Sequence, residues 1–478
     1  MSTQKPYTTV ANTLLLCILF LGTCPTAQSG NQSSQPSGPK SAGWTTDVIG
    51  VSEMQLSADY WVDRTPEHDS VLKTSQEIFQ LNKTLFATED FMVDLQQFPQ
   101  HLSAGEIRSK VLATSKPSSY DIYDDQGNVL DSAGYKVYTT NLGLDAIPVR
   151  TTVEFALVVK RADMRKYPTD ARYFKTLDSK NLDRFQENGL FPGDVVAVLH
   201  QSQDREWLFV QSFNYAAWVR KQYLAIGERQ TVLEYANPSR FLLITGDKVN
   251  TSFNPEIPEI SELQLDMGVR VPLPGHSEGE NSIHGQNPYT SHTIKLPVRD
   301  RDGGLEFRQA LITRNKDVHI GYLPFTRENI IRQAFKFLGE RYGWGHSNNA
   351  RDCTGFVAEV YKTFGILMPR NSGQQGLSTQ GENTRFSSAS LLRDKQKGLE
   401  SLDTGDLIYV PGHVLMFIGY VDGQPYVIHD VSEFGYIDEN GEYYKGILNG
   451  VSVTPLLPLH ASRESTYVEK MYNIKRIR

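Results

Sequence analysis

Cysteine is almost missing from this sequence, and the scarcity is informative. Only Cys17, Cys24 and Cys353 occur in 478 residues. The first two fall in an N-terminal stretch that reads as an export signal, so a processed chain keeps one thiol and has no partner for an internal disulfide. A lone thiol in an exported chain is either packed away as a small hydrophobe or kept for chemistry. Long apolar runs are also lacking. The stretch from Val10 to Leu21, interrupted by Asn12 and Thr13, is too short to span a bilayer and suits a signal core. Charge of one sign is scarce as well. The net charge is −7 with Lys and Arg scattered along the chain, and the absence of a dense basic stripe sets nucleic-acid binding aside.

What is present points to several cores. Apolar residues make up 39% of a chain too long for one compact core. Lys5 and small residues around Thr26-Ala27 complete a signal peptide over 1–27, placing the protein in the periplasm or cell envelope. Leu21-Gly22-Thr23-Cys24 resembles a lipoprotein box with an atypical Thr, so Cys24 is a candidate lipid anchor; no other membrane attachment is expected. Residues 28–45, rich in Ser, Gly, Gln and Pro, read as a flexible linker. Residues 46–145 read as a support region, with short helices expected over Phe79–Phe86 and Phe91–Phe98.

The pattern then turns to short strands: Phe155–Val159, Val195–Leu199, Trp207–Val210 and Ala217–Val219, separated by polar turns. This spacing predicts a small SH3-like β-barrel over 146–228. The theme recurs at Leu296–Val298, Phe307–Ile312 and Gly321-Tyr322-Leu323. A second SH3-like barrel is therefore expected over 229–325, swollen by a Pro/Gly/Glu-rich insertion from about Ser252 to Ser291.

At Thr326 the period changes to helical. Thr326 caps a helix whose apolar face is Ile330, Ile331, Ala334, Phe335, Phe337 and Leu338, with Gly339 at its end. A second helix runs from Cys353 to Phe364. Strands follow at Leu407–Val410, His413–Tyr420 and Tyr426–His429, the α+β order, over 326–478.

Cys353 opens its helix behind Asp352, where unpaired amides and the positive helix end favour thiolate. Thr354-Gly355 are small, which suits the approach of a substrate backbone. His413 begins one strand and His429 ends the next, so base and orienting group are available. Both rings must share one face of the hairpin. A two-residue Asp422-Gly423 turn alone would put them on opposite faces, so an odd-length loop or a bulge is expected. Cys353, His413 and His429 also suit zinc, although no close-spaced ligand pair accompanies them.

The motifs Tyr342-Gly343-Trp344-Gly345, Asp352-Cys353-Thr354-Gly355-Phe356-Val357, Gly405-Asp406-Leu407, His413 through Gly419, and Ile428-His429-Asp430 together resemble the NlpC-type papain-like cysteine peptidases, over about Thr326 to Thr454. With two preceding SH3-like barrels, the architecture resembles the γ-D-glutamyl-L-diamino acid endopeptidases of that family. The resemblance implies that Cys353 attacks the amide between γ-D-Glu and a diamino acid of peptidoglycan stem peptides or muropeptides. It makes His413 the base, His429 its orienting partner and Tyr342 an oxyanion donor, and it calls for no cofactor or metal. Asp352 is well placed to cap the Cys353 helix; the resemblance implies that it also reads the free substrate ammonium, the two roles being compatible, with substrate contacts near Thr354. Thr354 stands where the family usually has Ser, and His346 where a second Gly is common. The rival readings are acyl transfer by the same Cys-His pair, and a wall-binding protein with an inert domain in which Trp207, Tyr215 and Trp218 hold peptide.

Overall fold

The computed structural model describes residues 44–274 and 282–478; the expected signal peptide, Cys24 and all but the last two residues of the expected linker lie outside the described residues. The support region is held in two places. Trp61, on the short helix Ala58–Val62, is fully buried in the core that carries Cys353. Phe98, Ile107 and Val111 join the core of the first barrel instead. Its helices Ser75–Thr88 and Ala104–Thr114 start where Thr74 with Glu77 and Ser103 with Glu106 form capping boxes. No helix forms over Phe91–Phe98. Its apolar residues Met92, Leu95 and Phe98 are buried individually from turns rather than along one helical face.

The first barrel is a single seven-stranded sheet. Its strand order is Leu224–Gly227, Glu154–Val158, Val195–Gln201, Trp207–Gln211, Ala216–Arg220, Ala162–Arg165, Gln186–Leu190. The second β unit is built differently, as three small sheets around one core of Leu242, Ile244, Leu265, Val271, Ile294, Leu296 and Ile312. The expected insertion is part of that core. It supplies the strands Gln264–Asp266 and Arg270–Pro272, because Leu263, Leu265, Val269 and Val271 alternate inward among its polar residues. The strand expected over Gly321–Leu323 lies earlier, at Val318–Ile320.

The last domain carries a six-stranded antiparallel sheet in the order Glu382–Arg385, Asn473–Arg476, Leu407–Val410, His413–Val421, Gln424–Ile437, Tyr443–Pro455. Two helices precede it. Arg327–Phe335 starts where the Thr326 hydroxyl accepts from the Asn329 amide at 3.1 Å. Cys353–Lys362 packs Phe356, Val357, Val360 and Tyr361 against the sheet, all essentially inaccessible. Each such side chain contributes about 1.5–3 kcal/mol by leaving water, which fixes the helix and therefore the position of its first residue.

The hairpin joining His413 to His429 reconciles two demands. Val421 pairs with Gln424, so the loop is the two-residue Asp422-Gly423 turn, with φ of 51° and 77° as a type I′ turn requires. A bulge at Ile418 then shifts the register, so that Phe417 pairs with Val427 and Met416 with Ile428. Continuing inward sets Leu415 opposite His429 and places His413 and His429 on one face. Gly419 makes the bulge feasible. Its φ is 151°, and a Cβ there would lie 3.0 Å from the Trp61 ring.

Candidate active site

Cys353 is the first residue of its helix and is almost wholly buried. The backbone amide of Val414, next to His413, lies close enough to the sulfur to favour its charged form. His413 Nε2 lies 2.9 Å from His429 Nδ1, and His429 Nε2 lies 3.0 Å from the Thr454 hydroxyl. One proton arrangement would suit this chain to accepting a proton at His413. His429 Nε2–H donates to Thr454, His413 Nε2–H donates to His429 Nδ1, and His413 Nδ1 keeps its lone pair for the thiol. The Thr454 hydroxyl, which can accept, anchors the far end of this chain. Nothing near it in sequence announces that role; the strand Tyr443–Pro455 brings it beside His429, its register pairing Val427 with Thr454. With both His429 nitrogens and one His413 nitrogen engaged, the three residues are arranged for proton transfer rather than as zinc ligands.

His413 and Tyr342 line a cleft of about 300 Å³, with Trp344, Tyr443, His460 and Tyr467 among its walls and Leu182 reaching in from the first barrel. Cys353 is near enough for its charge to bear on both Tyr342 and Tyr467. Burial, reinforced by Cys353, Asp352 and Asp430, holds the Tyr342 phenol far above its usual titration range. It therefore stays protonated and able to donate to a developing oxyanion.

The titration of the Cys-His pair departs from the expectation of a thiolate at the helix start. Burial, then the Asp352 charge, push the Cys353 thiol up. Burial likewise pushes His413 down to about 4, against the pull of Asp352. A helix N-terminus contributes up to about 2 kcal/mol, whereas full burial shifts a group by about 3–5 pKa units, several kcal/mol, so burial wins. Both directions favour a resting pair of neutral thiol and neutral imidazole. Two results follow. Alkylation of the free protein by iodoacetamide is expected to speed up only above about pH 8.5, the ordinary thiol value. The kcat/KM is expected to hold on acidification until His413 protonates near 4. An alkylation rate already at its plateau by about pH 7 would mean a preformed thiolate and would overturn the neutral pair.

Asp352 faces inward. Its Oδ1 accepts from the Gly355 amide at 2.9 Å, the Thr354 hydroxyl at 2.9 Å and Arg370 Nη1 at 3.2 Å. Its Oδ2 accepts from the Gly345 amide at 3.0 Å and Arg370 Nη2 at 2.6 Å. Burial alone would raise this carboxyl, but Arg370, His346 and the hydrogen bonds outweigh it and hold it well below the usual carboxylate range. The five donors leave no acceptor for a substrate ammonium. The geometry thus gives Asp352 a capping and charge-balancing role in place of the substrate contact that the resemblance implied. Thr354 is engaged in the same way, since its hydroxyl also accepts from Arg370 at 2.6 Å. Gly355 makes room for a side chain rather than a substrate: a Cβ there would lie 2.6 Å from the His346 ring. His346 occupies left-handed backbone at φ 66°, and its Nε2 lies 3.1 Å from a Glu359 oxygen.

The loop holding these residues is clamped by the first barrel. Gln186 Nε2 donates to Gly345 O at 2.8 Å, and Trp344 Nε1 donates to Gln186 O at 3.1 Å. Arg161 donates to His346 O at 2.9 Å and Ala350 O at 2.8 Å, and Arg370 Nε donates to Asn188 Oδ1 at 2.6 Å. Arg351, fully buried, joins Glu340 and Glu359 to Asp266 of the second β unit. Trp207 and Trp218 are buried in the barrel core, which removes them as peptide contacts, and the Tyr215 hydroxyl donates to Glu187. No motif or period marks Arg370 or Asn188, whose only signal is the contact itself.

Comparison with known proteins adds family and fold. Residues 172–220 match the family model described as SH3 domain (SH3b1 type), and residues 339–452 match that of the NlpC/P60 family. Over 111 residues, 22% of this chain and 36% of the relative, the chain is 29% identical to the gamma-D-glutamyl-L-lysine dipeptidyl-peptidase of Bacillus subtilis (strain 168). Over 274 residues, 51% of this chain and 69% of the relative, it is 27% identical to the protein of the same name from Bacillus cereus (strain ATCC 10987 / NRS 248). The chain thus spans about a third of the first relative's length and about two thirds of the second's. The structure of an NlpC/P60 endopeptidase from Photobacterium damselae subsp. piscicida superposes with a TM-score of 0.70 at 16% identity, covering 88% of this chain and 96% of that one. This likeness is one of fold.

Proposed function

We propose that this chain, which contains an SH3 domain of the SH3b1 type and an NlpC/P60 domain, is an envelope cysteine peptidase cleaving the γ-D-glutamyl–diamino acid amide of peptidoglycan stem peptides. One observation carries the reading. A buried thiol at a helix start lies close to Val414 and Tyr342, and the neighbouring His413 lines the cleft at the head of a hydrogen-bonded His413–His429–Thr454 chain. Cys353 Sγ attacks the amide carbon while His413 Nδ1 takes the thiol proton. The oxyanion is held by the Tyr342 hydroxyl and the amides at the helix start. As the C–N bond breaks, His413 returns the proton to the leaving amine, giving a thioester and a free diamino acid end. Water, deprotonated by His413, then cleaves the thioester, releasing the γ-D-glutamyl carboxylate and restoring the thiol. The name shared by the two Bacillus relatives supports the choice of bond. Leu182 and the clamp on Trp344-Gly345 close one side of the cleft with the first barrel, which favours short stem peptides over intact wall.

Incubation with L-Ala-γ-D-Glu-diamino acid peptides is expected to yield L-Ala-γ-D-Glu and the diamino acid by mass spectrometry. Intact peptide, or cleavage only at the L-Ala–D-Glu bond, would reject this assignment.

A further inference from the structure

The bulge that puts His413 and His429 on one face is filled from a distant part of the chain. The ladder breaks between Phe417 and Gly419, and Ile418 has no partner on the neighbouring strand. One end of the break is pinned within the domain: the Phe417 amide donates to Asp406 O and its carbonyl accepts from the Gly405 amide, both at 2.9 Å. The other end, Gly419, lies against the Trp61 ring, which a Cβ would approach to 3.0 Å. Gly419 pairs with Tyr426, whose ring centroid is 5.4 Å from that of Trp61. The indole is fixed in turn. It is fully buried, and its Nε1–H donates to Gln55 O at 2.8 Å. The same N-terminal segment holds the strands twice more: the Tyr426 hydroxyl donates to Gly50 O at 2.5 Å, and the Tyr444 hydroxyl to Asp47 Oδ2 at 2.5 Å.

We infer that Trp61 is a positioning residue for the reaction: packed against Gly419, it holds the bulge and with it the register in which the two imidazoles meet. The inference rests on the proposed function for what the imidazoles do. The competing register is open to the same hairpin. An unbroken ladder running in from the Asp422-Gly423 turn pairs Ile418 with Val427 and His413 with Ser432, which puts the rings on opposite faces. Register is ordinarily chosen by a strand that is apolar on one face and polar on the other. This strand offers no such choice, because Val414, Leu415, Met416, Phe417 and Ile418 are all apolar and all buried. A shift by one residue would exchange one apolar set for another. The contact between Trp61 and Gly419 breaks that tie, since it accepts a residue without a side chain at φ 151° and fits only the bulged strand.

Trp61→Leu in the full chain keeps a buried apolar side chain and takes the ring from Gly419. Its kcat on L-Ala-γ-D-Glu-diamino acid peptides is expected to fall about tenfold or more, because small misplacements of a catalytic group cost up to about 10²-fold. KM and the rate of Cys353 alkylation should stay near those of the wild type. Trp61→Phe, which keeps a ring, should lose less. Deleting Ile418 from the Trp61→Leu protein removes the extra residue and sets Phe417–Val427 directly beside Gly419–Tyr426, so the histidines share a face without a bulge, and kcat should recover. Imidazole nitrogen NMR reads the pair without turnover: the hydrogen-bonded His413–His429 signals of the wild type should be lost in Trp61→Leu and return with the deletion. Where the deletion variant does not fold, the spectrum of Trp61→Leu alone decides. An unchanged kcat, paired imidazole signals that persist in Trp61→Leu, or a folded deletion variant that recovers nothing would overturn the inference. Paired signals that depend on Trp61 in a protein that hydrolyses no peptide would remove the peptidase reading and leave the register role of Trp61 supported.

Discussion

Cys353→Ala is expected to reduce kcat/KM on stem peptides by at least about 10³-fold, with the melting temperature nearly unchanged. The change removes one buried sulfur from a helix start whose cap, Asp352, and whose apolar face, Phe356, Val357, Val360 and Tyr361, remain in place. His413→Ala is expected to match it, because without the imidazole the neutral thiol has nowhere to send its proton. The two losses should not add: the double variant should be no worse than either single one. His429→Ala removes only the partner of His413 Nε2 and should cost less. Activity near wild type in Cys353→Ala would end the cysteine mechanism. An additive double variant would mean that the two residues serve separate steps.

What was legible in the sequence was local. Thr326 before an apolar 3.6-residue period, and Asp352 ahead of Cys353, announce helix starts, and each cap forms as expected. His413 opens its strand as expected, whereas the strand expected to end at His429 runs on from Gln424 to Ile437, so His429 lies within it. The Asp422-Gly423 turn was legible too. The bulge that makes it compatible with two rings on one face was only required by the chemistry, since the ring packed against Gly419 belongs to Trp61, far up the chain. The same limit hid the strands within the expected insertion, whose four inward residues sit among Pro and Glu. It also hid Arg370, whose partners are Asp352, Thr354 and, from the first barrel, Asn188. Contacts of this kind leave no period or motif.

The barrel's contacts explain why the catalytic loop holds so unusual a backbone. His346, Asn348 and Asn349 all have positive φ, a conformation that costs non-glycine residues about 1–2 kcal/mol each. Gln186 and Arg161 hold the carbonyls of Gly345, His346 and Ala350, while Glu359 holds the His346 ring. The loop's strain is thus offset by hydrogen bonds from a separate domain, and Asp352 at its end is placed to cap the helix of Cys353. The first barrel is therefore part of the framework that places Cys353.

Asp352→Asn tests that framework, and the expected effect is large. Asn caps a helix about as well as Asp, so if capping were the whole role the melting temperature would hold. The structure predicts otherwise. Both oxygens of Asp352 face donors only: two backbone amides, the Thr354 hydroxyl and two guanidinium nitrogens of Arg370. An amide group in place of one oxygen sets donor against donor, and the buried Arg370 cation loses the carboxylate that balances it. Breaking one side of a buried pair costs about 3–5 kcal/mol, so a clear drop in melting temperature is expected, with activity falling on every substrate because the start of the Cys353 helix shifts. Adding Arg370→Met should recover part of the loss, since the unbalanced charge leaves with it. The competing role, in which Asp352 reads the substrate ammonium, predicts a different pattern. There the melting temperature holds, kcat/KM falls on peptides with a free N-terminal L-Ala, and N-acetylated peptides, poor substrates for the wild type, are unaffected. That pattern would return Asp352 to the substrate site and require Arg370 to move aside when substrate binds.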